Sequence, residues 1–517
     1  MFFRSRCFRA DLIALSLSLA AIFASYLVAS RVYECRPHVK DETAYVWQAQ
    51  VYASGQLTIN VPTYRTSFPI PYVVSYRGQR FAKYPPGWPA VLAVGIALGI
   101  RGWVNPLLAG LAVWLTYRLG QKLFGVAAGI LAAFLTVTSP FFLMITGSLL
   151  AHTWCLFLTL AFSLAWLDTF RAKGLRIQGE KNSFSGAPGW ITVLIAGLSL
   201  GSLALTRPLT SLGVVLAFLI HAFLLVRNGD YSVRARLLCI GLIAASVAAL
   251  VLVWQFAVTG NPWLNPYTLW SEYDRVGFGL GHGPTSSGHS LQYSWLNLTK
   301  TVQAGQRDLF GWGQVSWLFL PAGLWAIRRN QRAGLIAALP FGLVLVYLVY
   351  WFGSTLYGPR YYFEGLPGLT LTTSAGMLWI LDWSRRYKSI KGLIGRSVTL
   401  ILIFGLVGYN LLSFLPHRLN NLHNRYSINY SQIEAFQSQQ ANAFTPAIVL
   451  VEMNSSWKDY EMLLDLQNPW LTSPFIFALS QGKLMDEKLA AFYPDRNIIY
   501  YYTAQPHKLF VYRQPEK

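Results

Sequence analysis

The chain has 517 residues, of which 54% are hydrophobic, 15% aromatic and only 12% charged, against roughly 25% charged in ordinary soluble domains. That composition excludes a soluble globular chain. With several uncharged apolar stretches near the ~18–20 residues of a spanning helix, it predicts an all-α polytopic membrane bundle. The net charge of +21 does not argue for a nucleic-acid partner, because the basic residues follow the apolar segments.

In chain order the predicted spans are 11–30, 103–121, 126–147, 149–170, 190–206, 209–226, 237–258, 312–327, 333–352, 362–382 and 397–415. The first, Asp11 to Ser30, lacks a small-residue cleavage site of the A-x-A kind and reads as a retained span. Six short basic pieces punctuate the series: Arg4, Arg6 and Arg9; Arg118 and Lys122; Arg171, Lys173, Arg176 and Lys181; Arg227, Arg234 and Arg236; Arg328, Arg329 and Arg332; Arg385, Arg386, Lys388, Lys391 and Arg396. They hold 20 of the 42 basic residues, with only Glu180 and Asp230 as acids among them. Short loops rich in Lys and Arg mark the cytoplasmic side. With the N-terminus inside and a crossing at each of these 11 spans, every basic piece falls inside. Residues 31–102, 259–311, 353–361 and 416–517 then fall outside. The apolar stretch 86–101, which opens with Pro85-Pro86-Gly87, must not cross and reads as a re-entrant or juxtamembrane helix in the outer leaflet. Cys35 is the one outer cysteine, so no disulfide framework forms outside within one chain.

Three zones follow. The first outer loop, 31–102, carries Asp41-Glu42, and its stretch Ala44 to Leu57 reads as an amphipathic helix on the bilayer surface, ended by Gly55. The bundle runs to about residue 415 and is interrupted by the loop 259–311, rich in Gly, Ser, His and Trp. Loops of that length tend to carry function. Residues 416–517 predict a small extracytoplasmic α/β domain, with strands at 447–451, 475–479, 497–502 and 508–512 and helices at 458–466 and 486–492.

On this topology the notable polar residues gather at one membrane face. Asp41, Glu42, Lys83 and Tyr84 lie in the first outer loop, and His152 and Arg207 at two outer turns. Asp274 and Arg275 lie in the loop 259–311, and Arg360, Tyr361 and Glu364 at a later outer turn. Charges near a membrane are paired or functional, since insertion at mid-bilayer costs ~2.5–3.5 kcal/mol. A carboxylate beside guanidinium and ammonium groups suits a transfer with a phosphate leaving group. The carboxylate accepts a proton from an acceptor hydroxyl, and the cations hold the phosphate and the charge it gains.

Four stretches carry a family resemblance: Asp41-Glu42 after the first span; Lys83-Tyr84-Pro85-Pro86-Gly87-Trp88-Pro89; Tyr117-Arg118-Leu119 through Lys122-Leu123-Phe124-Gly125 to Ser139-Pro140; and Gly358-Pro359-Arg360-Tyr361-Tyr362 leading to Leu366-Pro367. In these, over roughly residues 10–415, the chain resembles the GT-C superfamily of polyprenyl-phosphate-sugar-dependent glycosyltransferases. It is most similar to the dolichyl-phosphate-mannose–protein mannosyltransferase branch. The resemblance implies an integral-membrane enzyme of the plasma or inner membrane that inverts at its extracytoplasmic face. It implies Asp41 as general base, with Glu42 beside it, and Lys83 and Arg360 as phosphate ligands. The topology adds His152, Arg207, Asp274 and Arg275 to the substrate-binding set, and Tyr84 and Tyr361 join it from the stretches that carry the resemblance. The partners implied are a polyprenyl-phosphate-linked sugar, a glycan, lipid or protein acceptor, and membrane lipid. No cofactor is assigned. A divalent metal stays open, since some relatives carry an acidic residue near the position of His152.

Each residue also has a plainer reading. Asp41-Glu42 caps the following helix; Lys83 snorkels; Arg207 anchors a turn; Arg360 pairs with Glu364 at (i, i+4); Asp274 pairs locally with Arg275; His152 meets a turn carbonyl. The rival functions are a transporter or flippase of a lipid-linked saccharide, an oligosaccharide ligase, and a scaffold. A transporter needs charges along a mid-membrane path, and a scaffold gives Asp41-Glu42 no task.

Overall fold

The computed structural model describes residues 2–170, 189–386, 390–423, 425, 430, 433–453 and 457–514. The basic piece 171–181 and Lys388 lie outside the described residues. The elements run α1 (Phe2–Arg31), α2 (Lys40–Ala53), β1 (Ile59–Asn60), β2 (Val73–Tyr76), β3 (Gln79–Ala82), α3 (Gly87–Ala97), α4 (Val104–Phe124), α5 (Val126–Val137), α6 (Pro140–Thr146), α7 (His152–Thr169), α8 (Trp190–Thr206), α9 (Pro208–Asn228) and α10 (Tyr231–Thr259). They continue with α11 (Pro266–Trp270), α12 (Leu291–Asp308), α13 (Leu320–Ile327), α14 (Gln331–Ala337), α15 (Leu339–Tyr347), α16 (Leu366–Arg386), α17 (Ile390–Tyr409) and α18 (Leu415–His423), then a parallel sheet.

Among the described residues, four helices are long and apolar enough to cross a membrane: Phe8–Arg31, Pro208–Asn228, Tyr231–Thr259 and Ile390–His423. The pair α5 and α6 makes a fifth if its two halves, bent by 62°, count as one. The expectation of 11 uniform spans is therefore met only in part. Proline accounts for three of the differences. The expected span 126–147 breaks at Ser139-Pro140, where Ser139 is extended (ψ 121°) and its hydroxyl caps Phe142 N–H at 3.2 Å. Proline lacks the N–H a helix needs and disfavours α geometry in the residue before it. The expected span 312–327 is helical only over Leu320–Ile327, with Pro321 in its first turn. The span 333–352 divides at Ala338, before Leu339-Pro340, and ends at Tyr347. The last expected span, 397–415, instead passes through a π-turn at Asn410–Phe414 and continues as helix to His423. The stretch 86–101 forms the 11-residue α3, about 16 Å long at 1.5 Å per residue, half of a ~30 Å hydrocarbon core.

The segment 31–102, expected as an outer loop, is more ordered than its sequence reads. Arg77 (φ 48°) and Gly78 (φ 78°) form the tight turn of a hairpin in which Val73 pairs with Ala82 and Tyr76 with Gln79. Two consecutive positive φ values match the turn that follows the natural twist of paired strands. Lys83 and Tyr84 leave this hairpin directly. The helix expected on the bilayer surface is corrected: α2 begins at Lys40 and is buried from Glu42 through Ala49. One side, with Ala44, Tyr45, Val46 and Ala49, belongs to the core of the helical bundle. The other, with Trp47 and Val51, belongs to a core shared with Ile433, Phe436, Val449 and Phe477.

The C-terminal unit is a three-stranded parallel sheet, with β4 (Ala447–Glu452) between β5 (Phe475–Leu479) and β6 (Asn497–Tyr502). A central parallel strand buried on both faces reads as a continuous apolar run, which Ala447 to Val451 is. The expected strand 508–512 is reduced to a bridge between Tyr500 and Phe510. The unit does not keep a core to itself: Phe68 of the first loop packs with Ile448, Leu450 and Ile476.

Buried polar contacts hold it to the bundle. Asp465 accepts from Arg101 at 2.7 and 3.0 Å and from Arg36 at 3.2 Å. Removing one partner of a buried ion pair leaves the other charge uncompensated. Asp465→Ala is therefore expected to destabilise by ~3 kcal/mol, read as a lower Tm and faster proteolysis between the bundle and the sheet. The second contact is Thr43 donating to Glu461 at 2.8 Å. Burial pushes the Glu461 carboxyl up to about 7, against the opposing pull of Thr43 and Lys40. A carboxyl whose folded pKa exceeds its unfolded value, ~4.3, loses stability as pH rises between the two. Glu461→Gln protein is expected to melt near wild type at pH ~4 and above it at pH ~8, in paired thermal scans.

Candidate active site

The helix that α2 forms separates the two adjacent carboxylates. Successive residues of an α-helix point about 100° apart. Glu42 turns inward, 1% exposed. It accepts the backbone N–H groups of His38 (2.6 Å), Val39 (3.2 Å) and Leu149 (2.8 Å). It is the group that caps α2 and ties it to the turn ahead of α7. Burial pushes its carboxyl up to about 7 against those three donors. Asp41 faces the other way, into a cavity. Its Oδ1 accepts from Tyr84 Oη at 2.7 Å and its Oδ2 lies 3.4 Å from Arg360 Nη2. Burial raises the Asp41 carboxyl, but the Arg360 guanidinium, the Tyr84 hydroxyl and Lys83 outweigh it and hold the group below the usual carboxylate range.

Arg360 opens a 3-10 turn, Arg360–Gly365, directly after Gly358-Pro359. It does not pair with Glu364, contrary to the local reading: one 3-10 turn sends the two side chains to different partners. Glu364, fully buried, lies 3.4 Å from His152 Nδ1 and 3.6 Å from Arg207 Nη1. Arg207, between α8 and α9, also hydrogen-bonds His152 at the start of α7 and donates to Tyr347 Oη at 2.9 Å. His152 thus meets a cation and an anion, not a turn carbonyl. Tyr361 sits between the two guanidiniums, its ring 5.3 Å from Arg207 and 5.4 Å from Arg360.

Lys83 and Asp274 form a second ion pair, at 2.8 Å, with both side chains under 10% exposed (7% and 4%). Lys83 is buried, not snorkelling, and lies 4.1 Å from the Tyr72 ring and 4.8 Å from that of Tyr267. Asp274 also accepts from Tyr350 at 3.0 Å and Trp351 at 3.3 Å. Its partner is a lysine 191 residues away, while the adjacent Arg275 is exposed.

These groups meet around one cavity of about 610 Å³. Asp41, Lys83, Tyr84, His152, Arg207, Asp274, Arg275, Arg360 and Tyr361 all line it; Glu42 does not. On one side the wall is apolar, with Leu209 and Leu212 of α9 and Val251 of α10. Leu212 is 57% exposed on the outer surface of α9. A polar end with excess positive charge and an apolar flank on membrane-length helices suit an anionic amphiphile.

The helical framework around this cavity is similar to solved structures. ArnT from Cupriavidus metallidurans bound to undecaprenyl phosphate superposes with a TM-score of 0.54 at 14% identity, covering 96% of this chain and 90% of that one. Its apo state gives 0.53 at 15%, over 93% and 88%. The chain has the GT-C fold. An archaeal oligosaccharyltransferase, AglB from Archaeoglobus fulgidus in complex with an inhibitory peptide and a dolichol-phosphate, gives 0.50 at 13%, over 94% and 69%. These likenesses do not single out the mannosyltransferase branch. No family model and no curated protein sequence matches the chain.

Within this GT-C fold several cavity residues had no sequence signal. Tyr72, Tyr267, Tyr350 and Trp351 surround the Lys83–Asp274 pair, yet they read as members of the abundant aromatic population of a membrane protein. Glu364 was legible only as a neighbour of Arg360. The donor set does not fit a divalent metal: Asp41 is paired with Arg360, and Glu364 and His152 with Arg207. Among the described residues no group of three or more His, Cys, Asp and Glu converges.

Proposed function

We propose that the protein is an integral-membrane glycosyltransferase that moves a hexosyl or pentosyl unit from a polyprenyl-phosphate donor to an acceptor hydroxyl at the extracytoplasmic face. The observation that carries this is the Asp41 carboxylate, 3.4 Å from Arg360 on the wall of a cavity that also presents Lys83 and Arg207. The prenyl tail lies along the apolar flank, and the phosphate is held by Arg360, Arg207 and Lys83. Asp41 orients the acceptor O–H and accepts its proton as the hydroxyl oxygen bonds to the anomeric carbon. The bond from that carbon to the phosphate oxygen breaks on the opposite face, and the electron pair leaves with the polyprenyl phosphate. Attack opposite the leaving group inverts the anomeric centre. The cations meet the charge that the phosphate gains. Tyr84 fixes the Asp41 carboxylate, and Glu42 holds the start of the helix that carries it.

The gathering of these charges around one cavity favours this over a transporter, whose charges line a path through the membrane. The acceptor is a glycan, a lipid or a protein. The test is incubation of the reconstituted protein with short-chain polyprenyl-phosphate hexoses and pentoses and hydroxyl acceptors. Release of polyprenyl phosphate coupled to acceptor glycosylation is expected. Folded protein that binds these lipids and moves no sugar from any of them overturns the reading.

A further inference from the structure

Behind Arg360 lies a buried ionic knot that the transfer step does not use. Asp308, at the end of α12, is fully buried. Its carboxylate accepts from Arg307 at 2.8 and 3.2 Å and from Arg418 at 3.3 and 3.1 Å. Arg418 lies on α18, the helix that leads into the C-terminal unit, and is 9% exposed. Its Nη2 also donates to the Leu356 carbonyl at 3.0 Å. From Leu356 the chain reaches Arg360 through a turn with no slack. Gly358 has φ +74°, and a Cβ there would come within 2.8 Å of the Phe141 ring and 3.5 Å of Asp308 Cβ. The Gly358 carbonyl in turn accepts the Arg360 N–H at 2.8 Å.

We propose that Arg418 is a positioning residue: by bridging Asp308 and the Leu356 carbonyl it fixes the Leu356–Pro359 turn, and so aims the Arg360 guanidinium at Asp41 and the lipid phosphate. The proposal rests on the glycosyl-transfer reading of the cavity. A planar guanidinium serves two carboxylate oxygens and a carbonyl at once, which an ammonium on a flexible stem does not reproduce. Asp308 holds Arg418 in that plane, and Arg307, whose side chain is 45% exposed, neutralises Asp308 from the solvent side. Because Arg418 precedes the C-terminal sheet, the same contact links the seating of that sheet to the phosphate site.

The experiment compares wild type, Arg418→Lys, Arg418→Gln and the control Arg307→Ala in reconstituted transfer assays across pH, with thermal melts. A misplacement of about 1 Å at a reacting centre can lower turnover ~10²-fold, and that loss in kcat is expected for Arg418→Lys. The distinguishing readout is the acid limb of the rate profile. Asp41 is kept low by Arg360, so a displaced Arg360 moves that limb up by ~1 unit, which mere loss of folded protein does not do. Arg418→Gln, which retains an amide donor and leaves Asp308 its Arg307 partner, is expected to shift the limb the same way, and it answers the question if the lysine variant fails to fold. Arg307→Ala is expected to leave the limb in place. An acid limb unmoved in folded, slower Arg418 variants overturns the positioning role while the transfer reading stands. A wild type that transfers no sugar sinks both.

Discussion

Asp41→Asn protein, folded and able to bind lipid phosphate, is expected to transfer sugar ~10²–10⁴-fold more slowly than wild type. Asparagine keeps the size of the side chain and its acceptor oxygen, so Tyr84 retains a partner. It removes the negative charge that faces Arg360 and the ability to take a proton. The matched comparison is Glu42→Gln. Glu42 holds three backbone N–H groups and lies off the cavity, so its loss is expected to lower Tm with a smaller effect on turnover per folded molecule. Single-turnover release of polyprenyl phosphate, normalised to folded protein, measures both. Equal kcat for Asp41→Asn and wild type removes Asp41 as the base.

Arg360→Met is expected to cost ~10²–10³-fold in kcat, the range for removing one preorganised group at a developing negative charge. It also changes the pH dependence in a defined direction. As the proposed base Asp41 serves while ionised, so the rate is expected to fall as pH drops through its pKa. With Arg360 present that pKa lies below the ordinary carboxylate value, ~3.9, and the rate is flat through the mildly acidic range. Without it, burial still disfavours the charged form and its largest opponent is gone, so the acid limb moves to higher pH. An Arg360→Met protein with a large kcat loss and an unmoved limb retains Arg360 as a phosphate ligand and removes it as the partner that keeps Asp41 ionised.

Much of the bundle was legible because membrane insertion reads local composition. An apolar run of sufficient length is visible in any window, and α9, α10 and the long helix ending at His423 fall where the runs fall. Breaks inside runs were less legible. Ser139-Pro140 and Leu339-Pro340 were plain in the sequence, but whether a proline kinks a span or divides it depends on what packs against the freed carbonyls. The α2 helix was visible by its spacing and misplaced by its burial. Its side with Trp47 and Val51 reads as bilayer-facing until the C-terminal unit, some 400 residues later, is known to cover it.

The sequence by itself determined that the chain is helical, apolar and membrane-sized, and it marked the segments from which the cavity takes its charges. It did so because hydrophobic length, basic loops and proline act locally. Only the tertiary structure decided that Asp41 and not Glu42 meets the cavity, since a single 100° step along a helix means nothing until the helix is packed. It alone decided the partners: Lys83 with Asp274 across 191 residues, Asp41 with Arg360 across 319, Arg36 with Asp465 across 429. Pairings at such separations are set by how helices cross and sheets seat, which no periodicity along the chain encodes.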